Sequence, residues 1–401
     1  LGDVKITNNM LNKVAQTIDL EKEASLNRRY DLDWLRVIAI VILLYYHVGM
    51  MYVSWGWHIK YEPAGSPFLE FVMLFLYQWR MPLLFLISGA GTYYALGKRK
   101  AGGYAWERVK RLFFPLFFGM LVIVPPQIYL ERVFREGLTW SYWEFYPQVF
   151  NFIPYPKGDF SWHHLWFVAY LFVYSLISLP LLVWLKSASA QKFKNFLLWL
   201  CQKPGGVLWL VLPVVASQIA LRPYFPEETH ALSNDWAYFV FYLLPFIYGF
   251  ILSTDNQFII NISRQRRILL TATLITTFIM YFLAYGHFFD DAKEEVTWLE
   301  ILYIIDKIML MWFSVTATLG YAYQYLNFNH PVLKKLNEGV YPFYILHQTV
   351  IIIIGFQVLK WNLGIFDGFL ILSTLSLLTC VILYWFLIKR FKITRFLFGL
   401  K

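Results

Sequence analysis

The stretch Leu32-Asp33-Trp34-Leu35-Arg36, followed after ten residues by His47, opens the first long apolar segment of the chain, at about residues 34–55. A bilayer's hydrocarbon core of ~30 Å takes about 20 helical residues, so this segment is long enough to cross it. Arg36 and His47 are costly there unless they face a protein interior or a wet cavity. Eleven residues at ~100° each come to about 20° beyond three full turns, which puts both side chains on one helix face. They then lie roughly 16 Å apart along the axis, one at the membrane edge and one near mid-membrane. A cation at the mouth with a titratable imidazole at depth suits an elongated anionic ligand.

The rest of the chain agrees with a membrane setting. Of 401 residues, 59% are apolar and only 15% charged, an excess that a polytopic membrane protein needs and a soluble domain does not. The pattern predicts an all-α bundle of about ten transmembrane helices, near 34–55, 68–91, 112–131, 164–185, 206–223, 234–253, 267–286, 299–323, 340–360 and 367–388, the fifth interrupted by Pro213. Cys201 and Cys380 lie in or beside apolar segments and far apart in sequence, which gives no support for a disulfide framework or a cysteine-rich metal site.

The net charge of +10 reads as topology and not as a nucleic-acid surface. Alternate connections, including those holding Lys98, Arg108, Lys110, Arg111, Lys192 and Arg264, collect most of the 35 lysines and arginines, together with both tails. The opposite loops hold few cations, so both termini are expected on the cytoplasmic side. Residues 1–30 show neither an apolar core nor a small-residue cleavage site and are expected to form a cytosolic segment. The bundle then covers 31–390, and 391–401 form a cytosolic basic tail. The longest outer loop, about 132–163, is rich in aromatic rings that serve either as a sugar-stacking surface or as an interfacial belt. Outer acids, among them Glu228, Asp235, Asp290, Asp291, Glu294 and Glu295, are expected to be solvated.

Four further stretches carry chemistry. Arg80 falls near the middle of the second apolar segment, ahead of Pro82, which frees a backbone carbonyl, and of the small pair Ser88-Gly89, where a helix or a ligand can approach closely. Arg80 reads either as a charge for a developing anion or as half of a buried ion pair. Arg108, Lys110 and Arg111 form a basic cluster able to grip phosphates or lipid headgroups at the membrane surface. His163, His164 and Trp166 stand at the outer entrance of the fourth segment. Adjacent histidines diverge on a helix and no HExxH spacing accompanies them, so acceptor binding or structural hydrogen bonding is favoured over a metal. His347 lies inside the ninth segment and serves either as an interhelical donor or as part of a substrate site.

Together these stretches resemble the membrane acyltransferase family 3. The resemblance rests on Arg36 to His47 preceded by Leu32-Asp33-Trp34-Leu35, on Phe85-Leu86-Ile87-Ser88-Gly89, on Arg108-Val109-Lys110-Arg111 before Pro115, on His164-Leu165-Trp166-Phe167 and on Tyr344-Ile345-Leu346-His347, and it runs from about Arg29 to the end. The wording of residues 54–60, 78–82 and 124–127 is similar to a branch associated with succinyl transfer onto periplasmic glucans. The resemblance implies a multi-pass protein of the bacterial inner membrane that takes an acyl group from cytoplasmic acyl-CoA (succinyl-CoA or acetyl-CoA as co-substrate, with no permanently bound cofactor) to a hydroxyl of a periplasmic glucan or other glycan.

In that scheme Arg36, Arg108, Lys110 and Arg111, with Ser88 and Gly89, hold the donor. His47 acts as general base, Arg80 steadies the oxyanion and Asp33 orients Arg36. His163, His164, Trp166 and His347 meet the acceptor. Because no further domain follows the tenth segment, transfer is expected to be completed in the bundle or with a partner. A transporter or flippase and a polysaccharide polymerase are the rival readings. Neither inverted repeats nor cation-rich outer loops support them.

Overall fold

A computed structural model describes residues 28–61, 65–286 and 297–400. The expected cytosolic segment up to residue 27 and the outer acids Asp290, Asp291, Glu294 and Glu295 lie outside the described residues. The bundle is carried by α1 (Tyr30–Gly49), α2 (Pro67–Gly97), α3 (Ala101–Glu136), α4 (Trp166–Ile177), α5 (Trp236–Leu252), α6 (Arg266–Tyr285), α7 (Trp298–Tyr325), α8 (Pro331–Val358) and α9 (Ile365–Leu383). The β pairing among the described residues is one isolated bridge between Pro154 and Phe160.

Seven of these helices, all but α4 and α5, are with their short extensions long and apolar enough to cross a membrane. α4 passes the same test only with Leu179–Lys186, across a bend of 56°, and α5 only with Asn256–Arg264, across a bend of 108°, which raises the count to as many as nine among the described residues. The expected fifth span falls short. Gly206–Val211 is 3-10 helix, and an α-helix of ten residues starts at Leu212, immediately before Pro213. The two run on as one apolar helix, Gly206–Leu221, that is too short to pass the same test, with Pro213 tolerated in the first turn of its α-helical part.

Local chemistry sets the ends of the helices that matter for the site. α1 begins with Asp31 and Asp33 in its first turn, where carboxylates complement the exposed N–H groups. Arg29 clamps Asp31 through two hydrogen bonds of 2.6 and 2.8 Å, and Asp31 is fully buried. α2 is capped by the Ser66 hydroxyl, starts at Pro67 and continues through Pro82 without a break. α3 is one helical run relaxed by two π-turns, Val109–Phe113 and Gly119–Ile123, and it stops where Gly137 takes up the left-handed conformation.

The tightest crossing joins α2 to α5. A Cβ on Gly89 would lie 1.8 Å from the Phe246 carbonyl oxygen, and one on Gly249 would lie 1.8 Å from that of Leu86. Only glycine allows the two backbones this approach. α1 packs against both α2 and α8, and the two chemically distinctive places of the molecule lie along the α1–α8 seam.

Candidate active site

At one end of the seam lies a cavity of about 570 Å³. Arg36 of α1, Ser88 and Gly91 of α2, Arg108 and Arg111 of α3, Asn337 and Tyr341 of α8, and Arg395 line it. Four guanidiniums around one recess make an anion site, and arginine forks suit phosphate oxygens in particular. Arg36 is braced by Asp33 at 3.3 Å and by the Asn337 side-chain oxygen at 3.4 Å, while Asp33 also accepts from Arg28 at 2.7 Å. Gly91 lies beside the Arg36 fork, a Cβ there standing 4.0 Å from its Nη2, an ordinary van der Waals contact. Arg108 lies over the Tyr104 ring at 4.8 Å, and Arg111 approaches Glu107 at 3.3 Å. Further in, the cavity turns apolar against Ile40, Leu84, Ile87 and Phe167.

Deeper along the seam stands His47. Its Nδ1 is 2.7 Å from Nε2 of His347, and the rings stack with centroids 4.9 Å apart. The network assigns the tautomers. His347 Nδ1 is 2.6 Å from the Tyr344 carbonyl oxygen, which can only accept, so this nitrogen carries the proton. With the rings neutral, His347 Nε2 is an acceptor and His47 Nδ1 must donate to it. The remaining nitrogen of His47, Nε2, therefore presents a lone pair, which is what a general base needs. Trp57 covers the ring, stacked at 5.3 Å.

Arg80 sits beside this pair without a carboxylate partner among the described residues. Its guanidinium lies over the Tyr46 ring at 3.5 Å, one Nη donates to the Tyr77 carbonyl at 3.3 Å, and its Nε has no hydrogen-bond partner there. The alternative of an ion pair for Arg80 is thus not what these residues form. Ile40, at the floor of the arginine cavity, precedes His47 by seven residues, or about 10 Å of helix. Leu43, only 2% exposed, lies on the same stripe between them.

The two adjacent histidines do diverge. His164 is buried: its Nε2 donates to the Ile345 carbonyl at 3.0 Å, its Nδ1 accepts from the Gln127 amide at 3.3 Å, and its ring meets that of His347 edge-on at 5.3 Å. It ties the head of α4 to α8 and supports the pair rather than facing an open surface. His163 turns the other way, towards His58 at 4.8 Å between ring centroids. Trp166 stacks on His230 at 4.0 Å.

Two further placements differ from expectation. Gly89 is filled by the α5 backbone and does not line the cavity, and Lys110 is exposed, its ammonium 5.2 Å from the Trp106 ring. The supposedly solvated acids Glu228 and Asp235 are packed inside. Asp235 is 1% exposed, and Glu228 accepts from Tyr242 at 2.5 Å, from Tyr77, and from His230 at 2.9 Å. Burial alone would raise the Glu228 carboxyl, but these donors outweigh it and hold it at about 2.

Sequence reasoning missed the amides and the carboxylate that connect these parts. Gln348 donates to the Gln127 side-chain oxygen at 3.0 Å, and Gln127 donates to the Thr349 hydroxyl at 2.6 Å. The signal was present: Gln127, Glu131, Gln348 and Thr349 are polar residues inside or at the edge of apolar runs, where each must find a partner.

The acyltransferase 3 family model, described as an acyltransferase domain, matches residues 29–385, so the chain belongs to that family. It is 26% identical over 161 residues to the glucans biosynthesis protein C of Salmonella typhi, and 24% identical over 160 residues to that of Salmonella schwarzengrund (strain CVM19633). Each alignment covers 39% of this chain and 40% of the relative, so the chain spans well under half the length of the relatives it matches. No solved structure matches it. By its family and its apolar helices the chain is a multi-pass membrane protein of the acyltransferase 3 family.

Proposed function

From this family membership we propose that the protein moves an acyl group from acyl-CoA, bound at the cytoplasmic end, to a hydroxyl of a glycan on the far side of a bacterial inner membrane. The observation that carries the reading is the alignment, on one helix seam, of an arginine-lined cavity with the His47–His347 pair. The arginines suit the diphosphate and ribose phosphate of coenzyme A, and the apolar floor suits its pantetheine arm. The related proteins named for glucans biosynthesis support a glucan as the acceptor, and the acyl group of this proposal is succinyl or acetyl.

In the reaction, the acceptor hydroxyl gives its proton to His47 Nε2 as its oxygen attacks the thioester carbonyl. The Tyr344 carbonyl and His347 hold the imidazole in the required tautomer, and the charge on Arg80 favours the oxyanion. The C–S bond breaks as the ester C–O bond is completed, and the leaving thiolate takes the proton back from the imidazolium. Release of free coenzyme A thiol by the purified protein, given acetyl- or succinyl-CoA with a periplasmic glucan extract, tests the reading. His47→Ala should lower the rate by roughly 10²–10⁴-fold, the usual share of a general base, with donor binding retained. Undiminished turnover in that variant would remove His47 from the mechanism.

A further inference from the structure

At the end of the bundle away from the arginines, three segments distant in sequence bring together His58, Glu131 near the end of α3, and His163 at the head of α4. One donor atom from each lies within 4.8 Å of the others. None of them is needed for the transfer step above. The cluster is largely enclosed, with side chains of His58 and Glu131 only 14% and 8% exposed.

The second atoms of all three residues are already taken. His163 Nδ1 pairs with the Ser161 hydroxyl at 2.8 Å. Glu131 Oε1 accepts from the Tyr155 hydroxyl at 2.9 Å and has Arg135 at 3.7 Å. His58 Nε2 meets the Gln348 amide at 3.0 Å. That arrangement leaves His58 Nδ1 donating only to Glu131 Oε2, at 2.5 Å, and leaves His163 Nε2 buried with no hydrogen-bond partner among the described residues. A buried nitrogen without a partner is uncommon and asks for an explanation. Ligands whose outer atoms are fixed by hydrogen bonds are the usual build of a metal site.

We infer that His58, Glu131 and His163 form a binding site for one divalent transition-metal ion of the zinc class. Two imidazoles and a carboxylate suit Zn²⁺ or Co²⁺ in preference to Mg²⁺ or Ca²⁺, which take oxygen ligands. Three protein ligands leave a position for water or for an oxygen of a bound molecule. The ion replaces the hydrogen bond between His58 Nδ1 and Glu131 Oε2, the His58 proton moving to Nε2 and the Gln348 amide turning its oxygen to accept it. Binding weakens as the pH falls because protons compete for the imidazoles. The inference does not depend on the acyl-transfer reading.

The test is a titration of untagged, chelator-treated full-length protein in detergent with Co²⁺, followed by its visible ligand-field absorption, and then by displacement with Zn²⁺. One Co²⁺ per chain, with the intense bands of a four- or five-coordinate ion lost on adding Zn²⁺, is the expected result. Glu131→Gln and His163→Ala should each weaken binding at least tenfold, and Ser161→Ala by roughly tenfold through its hold on His163. Absence of stoichiometric bands in the unaltered protein overturns the site, whatever the variants do. So does binding of full strength in variants whose thermal unfolding shows them folded, and the three residues are then a hydrogen-bonded histidine–carboxylate cluster alone.

Discussion

At Arg36 the seam between α1 and α8 is open and charged, whereas at His47 the same seam is closed and built of imidazoles and amides. The first region relies on long side chains: Arg36, Arg108, Arg111 and Arg395 reach into one cavity from three different parts of the chain. The second relies on short rings whose every turn is fixed, with Tyr344 dictating the proton on His347 and His347 dictating the proton on His47. A phosphate can be held by any of several arginine arrangements, because charge acts at a distance and the forks adjust. A proton transfer needs one atom in one place. On the proposed function, the bundle separates holding from reacting along a single helix, with Leu43 between them.

The strongest way to break this contrast is at its deep end. His347→Phe keeps a ring in place but removes the acceptor for His47 Nδ1, and kcat should fall by roughly 10²-fold with little change in KM for the donor. A change in KM alone would make His347 a binding residue and not a positioning one. At the shallow end, Arg108→Ala should do the reverse. The loss of a charge-assisted contact of ~1.5–3 kcal/mol raises donor KM by about 10–100-fold while kcat is largely kept, as steady-state kinetics at two salt concentrations would show.

Between the two regions, Leu43→Trp should cut kcat about tenfold by obstructing the thioester's approach to His47. Binding of coenzyme A itself, measured by calorimetry, should stay unchanged, because its phosphates sit beyond the obstruction. The smallest effect on transfer is expected at Glu228, which contacts neither His47 nor the arginine cavity and reaches Arg80 only through Tyr77. Its carboxyl is held at about 2 against an ordinary 4.5, so the stability it lends is present above about pH 4.5 and is lost as the pH falls towards 2. Glu228→Gln should leave turnover near normal, cost ~1–3 kcal/mol by thermal unfolding at pH 7, and flatten the acid limb of the stability profile.

The helical class and the pairing of Arg36 with His47 on one face were legible from spacing alone, because eleven residues return a helix to nearly its starting direction. The arginine cavity was legible in part, since Arg36, Arg108 and Arg111 stand out against apolar surroundings. Arg395 did not, because it sits in a basic tail whose charge has an independent topological reason. The divergence of His163 and His164 was legible from their adjacency on a helix, but not which of acceptor binding or structural hydrogen bonding each serves; the His164 ring points into the α4–α8 contact and that of His163 towards His58. Gly89 misled, since a small residue in a helix marks a close approach without saying whether ligand or backbone makes it. The partnership of His47 with His347, 300 positions away, is set by the packing of α1 on α8, and no local pattern encodes it.

The glycine crossing of α2 and α5 has a mechanical consequence. Two backbones in contact at carbonyl oxygens have no side-chain cushion to slide on, so Gly89 and Gly249 pin those helices like a rivet. α2 carries both Arg80 and Ser88, and thus one wall of each region is immovable. On the proposed function, a movement that admits the donor's arm past Leu43 is therefore expected from α1 or α8, as the door, with α2 as its frame.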